Sequence, residues 1–248
     1  MFPLPYAPPI ASVLYSLYVL ELVLLAGGLT LGRPNADRTC RLPTPLRMTL
    51  SVILVLAAAI GWLAGARGTS VEGYAALIFA GMAVGFAGDL VMARVIRTPN
   101  RLIFGMAAFG IGHVLYLAGL LRITSQTGKP PGVTLAALLI AVSAFCAWAW
   151  YTQVRKPGSS MAINAGSLVY GLLIGCVTAL AIALALRDAH YLGLALGALL
   201  FLCSDFVLGN WIIHGHVWPG VNDVIWSAYV GGQLLIVFSV AAAINALH

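Results

Sequence analysis

Eight apolar runs, each long enough to cross a bilayer, constrain this chain more than any single residue does. They occupy 10–31, 48–66, 73–95, 102–123, 134–154, 163–186, 191–213 and 222–246. About 20 apolar residues without alternation is the length a helix needs to span the hydrocarbon core. That core offers no water to backbone N–H and C=O groups, so the spans are expected as helices, whose hydrogen bonds close internally. A hydrophobic share of 61% against 8% charged residues excludes a water-soluble domain. The expected architecture is an all-α membrane protein, a single polytopic bundle of eight transmembrane helices that forms one domain over residues 1–248.

The charges lie mostly between the spans and set the topology. Loops one, three, five and seven hold Arg33, Arg38, Arg41, Arg47, Arg94, Arg97, Arg101, Arg155 and Lys156, whereas loops two, four and six hold Arg67, Arg122, Lys129 and Arg187. The positive-inside rule then puts the odd loops in the cytoplasm and both termini outside. A net charge of +6 would suggest nucleic acid in a soluble chain. Here the basic loops are expected to meet anionic lipid, and no nucleic-acid partner is expected. The first nine residues, MFPLPYAPP, carry no Lys or Arg and the first run is span-length, so a cleaved signal peptide is not expected. The expected location is integral and multi-pass, in the cell membrane of a prokaryote. Cys146, Cys176 and Cys203 fall in spans and Cys40 stands alone in a loop, a distribution that carries no disulfide or C-x-x-C pattern.

Two acids interrupt this apolar background. Asp89 lies in GFAGDLVMARV, residues 85–95, and Asp205 follows Ser204 in LLFLCSDFVL, residues 199–208. An Asp at a membrane helix centre costs about 2.5–3.5 kcal/mol on insertion scales, so such residues usually face protein or a watered cavity. At four-residue spacing the third span reads Gly81, Gly85, Asp89, Ala93, and the seventh reads Gly193, Gly197, Phe201, Asp205, Gly209. Small-residue stripes let membrane helices approach closely, which turns both acids toward other helices. Asp205 follows Asp89 by 116 residues, or four spans, and one reading is a parallel four-plus-four repeat. The fourth span adds His113 and Tyr116, the eighth adds Tyr229 and Gln233 one turn apart, and the first contains Glu21, either structural or pocket-lining. The third, fourth, seventh and eighth helices are therefore expected to surround one cavity that contains both acids.

These residues together carry a resemblance. Gly88-Asp89, Phe104-Gly105, His113-x-x-Tyr116, Ser204-Asp205 and Tyr229-x-x-x-Gln233 occur in the order found in the YhhN family of membrane proteins, the lysoplasmalogenases. Family members also resemble one another in a Lys-Pro near the second helix; this chain has LPTPLRM there, with Arg47 in place of the basic residue. The resemblance implies hydrolysis of the vinyl ether bond of a lysophospholipid within the bilayer, giving a fatty aldehyde and a glycerophospho-headgroup. That chemistry suits two carboxyls. One protonates the β-carbon, and the other stabilises the resulting oxocarbenium ion and activates water. Asp205 is assigned as acid and Asp89 as stabiliser and base, with the reverse order left open. His113, Tyr116, Ser204, Tyr229 and Gln233 take supporting roles. Arg94, five residues past Asp89 and about 7.5 Å along a helix axis, would bind the headgroup phosphate. No cofactor and no metal is called for, because proton-driven cleavage needs no Lewis acid.

Two other classes use similar residues. A zinc-dependent lipid amidase would draw on His113, Asp205, His214 and His216. A proton-coupled transporter or a lipid-binding membrane protein would also use paired intramembrane acids.

Overall fold

The structure is a computed structural model that describes residues 4–127 and 132–247. Lys129, counted above among the even-loop charges, lies outside these residues. Among the described residues there are eight helices long and apolar enough to cross a membrane. They are α1 (Pro8–Leu31), α2 (Thr44–Ile60), α3 (Glu72–Met92), α4 (Arg101–Gln126), α5 (Val133–Ala149), α6 (Met161–Ala185), α7 (Leu192–Gly209) and α8 (Val221–Leu247). Three of them close in a wider, π-helical turn, at Gly61–Ala66 after α2, Trp150–Val154 after α5 and Asn210–His214 after α7.

Local chemistry sets the helix ends. The Asn100 side chain accepts hydrogen bonds from the Leu102 and Ile103 amides at 3.1 and 3.2 Å and so starts α4. Ser160 starts α6 through a 3.3 Å bond from the Ile163 amide. The α2 helix begins at Thr44, four residues before the expected boundary, because Pro45 in its first turn has no amide to satisfy. Arg47 is consequently a helical residue and not a loop residue. At the other end of the hairpin α3 stops at Met92 and not at 95, since Arg94 adopts a left-handed conformation with φ 62°. The Val95 and Ile96 amides then turn back to the Leu90 carbonyl at 2.9 and 3.1 Å.

The bundle is built from two similar halves. In the first, α2 packs on α3 and α3 on α4; in the second, α6 packs on α7 and α7 on α8. Of the contacts that join the halves, α2 against α8 and α6 against α4 follow the same shift of four elements, and α3 against α8 does not. The equivalent helices α1 and α5 are the least covered, and their outer faces expose Val19, Leu22 and Val23 on one and Ile140, Phe145 and Trp148 on the other. These neighbours match a parallel four-plus-four repeat in part.

Glycines fix the tightest crossings. A Cβ at Gly81 would lie 3.1 Å from the Gly112 carbonyl oxygen and one at Gly112 the same distance from that of Gly81, which brings α3 and α4 backbone to backbone. Gly197 and Gly232 do the same for α7 and α8, at 2.8 Å in both directions. Gly81 and Gly197 each precede an Asp by eight residues, so each close approach sits two helical turns from an acid.

Candidate active site

Asp89 and Asp205 line the same cavity, of about 480 Å³, at the end of the bundle where the odd loops lie. The expected four helices all contribute to its wall, α3 with Asp89 and Met92, α4 with Arg101 and Phe109, α7 with Ser204, Asp205 and Leu208, and α8 with Asn222, Ile225, Trp226 and Tyr229. The α2 helix adds Arg47, and Arg94 lines the cavity from the turn after α3. Arg94 and Arg101 are exposed, so the basic residues gather toward the mouth while the acids lie on the helices below. Arg47 stacks over the Trp226 ring at 5.4 Å and donates to Thr44 Oγ1 at 2.8 Å, which holds its guanidinium on the cavity side of α2.

The two acids are held differently. Asp89 is buried, and one of its oxygens, Oδ2, accepts from the Ser51 hydroxyl at 2.6 Å and from the Tyr229 hydroxyl at 2.8 Å. Ser51 is on α2 and Tyr229 on α8, so three helices meet at this carboxyl. Asp205 is half-buried, and its Oδ2 accepts from the Tyr170 hydroxyl of α6. The Tyr170 oxygen lies 3.3 Å from His113 Nε2. A phenol has a single proton, and with that proton given to Asp205 the second bond forms when His113 carries its hydrogen on Nε2. The opposite ring nitrogen, Nδ1, is buried and has no hydrogen-bond partner among the described residues.

The two half-sites correspond. A hydroxyl from the preceding long helix reaches each acid, Ser51 of α2 for Asp89 and Tyr170 of α6 for Asp205. His113 and Tyr229 are separated by the same 116 residues as the acids, and each faces the acid of the other half, Tyr229 directly and His113 through Tyr170.

The remaining sequence-predicted residues divide. Tyr116 donates to Gln233 Oε1 at 2.8 Å; the pair is buried, joins α4 to α8, and lines neither the acid cavity nor an acid's hydrogen-bond shell. Ser204 faces the cavity but donates its hydroxyl to the Ile225 carbonyl at 3.0 Å, tying α7 to α8. Glu21 is fully buried, lines neither this cavity nor the cleft described below, and has no hydrogen-bond partner for either oxygen among the described residues. The loose zinc set is not assembled. His214 and His216 are exposed, with Nδ1 of each near the Arg155 carbonyl and Asn210 Oδ1, both at 3.2 Å. Among the described residues no three His, Cys, Asp or Glu side chains gather in one place.

Ser51, Tyr170, Arg47 and Arg101 are the site residues that the sequence reading did not assign. Tyr170 had a signal, since Ser167 and Tyr170 fall three residues apart on one face of an otherwise apolar span.

A second, smaller cleft of about 60 Å³ lies beside the cavity. Its walls come from α4, the end of α5, α6 and α7, and it shares Asp205, Leu208 and Ile212 with the cavity.

Neither a curated protein nor a solved structure matches this chain. The family model YhhN matches residues 44–240, from the first residue of α2 into the last third of α8, and so includes both acids and every hydroxyl that reaches them. With that match over most of its length, this chain belongs to the YhhN family.

Proposed function

We propose that this protein is a membrane-embedded hydrolase that cleaves the vinyl ether bond of a lysoplasmalogen-like lysophospholipid. The observation that carries the reading is a single cavity lined by two carboxyls and three arginines. Arg47, Arg94 and Arg101 match a phosphate in charge and fork geometry, and they extend the headgroup role expected of Arg94 alone. Arg47 thereby supplies the positive charge that the missing Lys-Pro had left in question.

In the reaction, Asp205 gives its proton to the β-carbon of the vinyl ether, converting the double bond to a C–C single bond and the ether carbon to an oxocarbenium ion. Asp89 stabilises that cation as a carboxylate and accepts a proton from the water that attacks it. The hemiacetal so formed collapses to an aldehyde as its hydroxyl proton passes to the departing glycerol oxygen, and the proton held by Asp89 returns to Asp205. The division of labour follows from the hydrogen bonds. Two hydroxyls converge on one oxygen of Asp89, an arrangement suited to an anion, whereas Asp205 accepts one hydroxyl and also borders the apolar cleft. The aromatic residues Phe109, Trp226 and Tyr229 also line this cavity.

The test uses Asn, which keeps the shape and hydrogen bonding of Asp but neither delivers a proton nor carries the charge. Asp89→Asn and Asp205→Asn are each expected to lower single-turnover aldehyde release from purified lysoplasmalogen by roughly 100-fold or more. Thermal stability on the same samples is expected to hold. Near-wild-type turnover in either variant removes that acid from the mechanism, and wild-type protein that binds the lipid without turnover favours a carrier.

A further inference from the structure

The side cleft has no free polar group to offer a ligand. Ser167 is engaged by Trp150 Nε1 at 3.0 Å and donates to the Asn164 carbonyl at 3.0 Å. Tyr170 is committed to Asp205 and His113. The rest of the lining is apolar save Asp205 itself, with Leu102, Met106, Ile174, Leu202 and Phe206 typical of it. Leu102, Met106 and Phe206 are only partly covered, so the cleft opens at the surface of the bundle among helices that span the membrane. Its occupant must therefore be apolar along its length and polar where it reaches Asp205.

Only one shape satisfies both openings. A molecule that lies across Asp205 places its polar end in the 480 Å³ cavity with the arginines and a slim hydrocarbon portion in the 60 Å³ cleft. Its small volume favours one chain over two. We infer that this cleft, between α4, the end of α5, α6 and α7, is the chain-binding subsite, and that it takes a single unbranched hydrocarbon chain whose first carbons lie beside Asp205. The inference rests on the proposed hydrolase reading for the identity of the polar end, but the chain subsite is a statement about binding and can be tested without turnover.

Gly171 provides the probe. It lines the cleft, and a Cβ added there meets nothing within 4 Å, so a larger side chain can grow into the space without colliding with the fold. Gly27 on α1 is equally open and lies far along the chain from the cleft, which makes it the control. The ligand is a non-hydrolysable 1-hexadecyl ether lysophospholipid, with equilibrium binding measured in detergent micelles. Gly171→Phe is expected to weaken binding by about tenfold or more, the effect of expelling about two methylenes from apolar contact, while Gly27→Phe leaves it unchanged. Equal affinity in Gly171→Phe and wild type overturns the subsite. If Gly171→Phe does not fold, the wild-type protein decides the matter. A photoreactive diazirine on the chain is expected to label peptides that contain residues 102–106, 150–154, 167–174 or 202–213, and labelling confined to peptides outside these segments overturns the assignment. Wild-type protein that binds this ether lipid but releases no aldehyde from lysoplasmalogen would remove the hydrolase reading and leave these binding results standing, so the two failures are separable.

Discussion

At the scale of single residues, the least anticipated feature is Tyr170, whose hydroxyl stands between Asp205 and His113. It is a positioning residue, since its hydroxyl is engaged by Asp205 and His113. Tyr170→Phe removes the hydroxyl and leaves His113 Nε2 without that partner, an omission that costs about 1–3 kcal/mol in a buried site. We expect kcat to fall by about tenfold, less than on loss of an acid, with KM unchanged. A purely structural role would lower thermal stability and leave kcat alone, so steady-state kinetics and unfolding measured on one preparation distinguish the two. The acids themselves were legible in the sequence because a carboxylate in hydrocarbon demands a reason. Tyr170 and Ser51 were not, since a hydroxyl is tolerated at many depths in a span and its partner depends on which helices touch. Tyr116, Ser204 and Gln233 show the converse, polar residues on the right helices whose bonds hold helix to helix.

At the scale of elements, the glycine stripes did what small residues in a membrane do, and they did so at one position in each half. Gly197→Ala would press a methyl to 2.8 Å from both the Gly232 carbonyl oxygen and the Leu235 Cβ, and backbone cannot step aside. Overpacking of this kind costs about 1–3 kcal/mol. We expect Gly197→Ala to lower the midpoint of thermal unfolding and Gly27→Ala, which meets nothing, to leave it in place. The existence and order of the eight helices were readable from run length alone. Their ends were less so, because Pro45 admits an earlier start to α2 and the left-handed Arg94 forces an earlier stop to α3. The earlier start of α2 puts Arg47 in the cavity wall, although its place between runs reads as a topology charge, whereas Arg94, expected near the headgroup, lines the cavity from the turn after α3.

At the scale of the whole molecule, the paired halves give the cavity its position. Equivalent helices run in the same direction in a parallel arrangement, so both acids fall toward the odd-loop end. By the positive-inside rule we propose that this end faces the cytoplasm. Single cysteines in a background without the four native ones test this. Ser159→Cys, in an odd loop, is expected to react with a membrane-impermeant maleimide only in inverted vesicles, and Ser70→Cys, in an even loop, only in intact cells. The reverse pattern would place the cavity mouth on the outer face.

The meeting of cavity and cleft at Asp205, Leu208 and Ile212 has a consequence for what leaves the protein. A bond broken at that junction lies on a phase boundary, with a polar basin on one side and a greasy slot on the other. On the proposed reading the two fragments then have separate exits. The glycerophosphate half drains past the arginines into water, and the aldehyde half slides out among lipid tails, so neither product need cross the other's path and their recombination is discouraged by solubility alone.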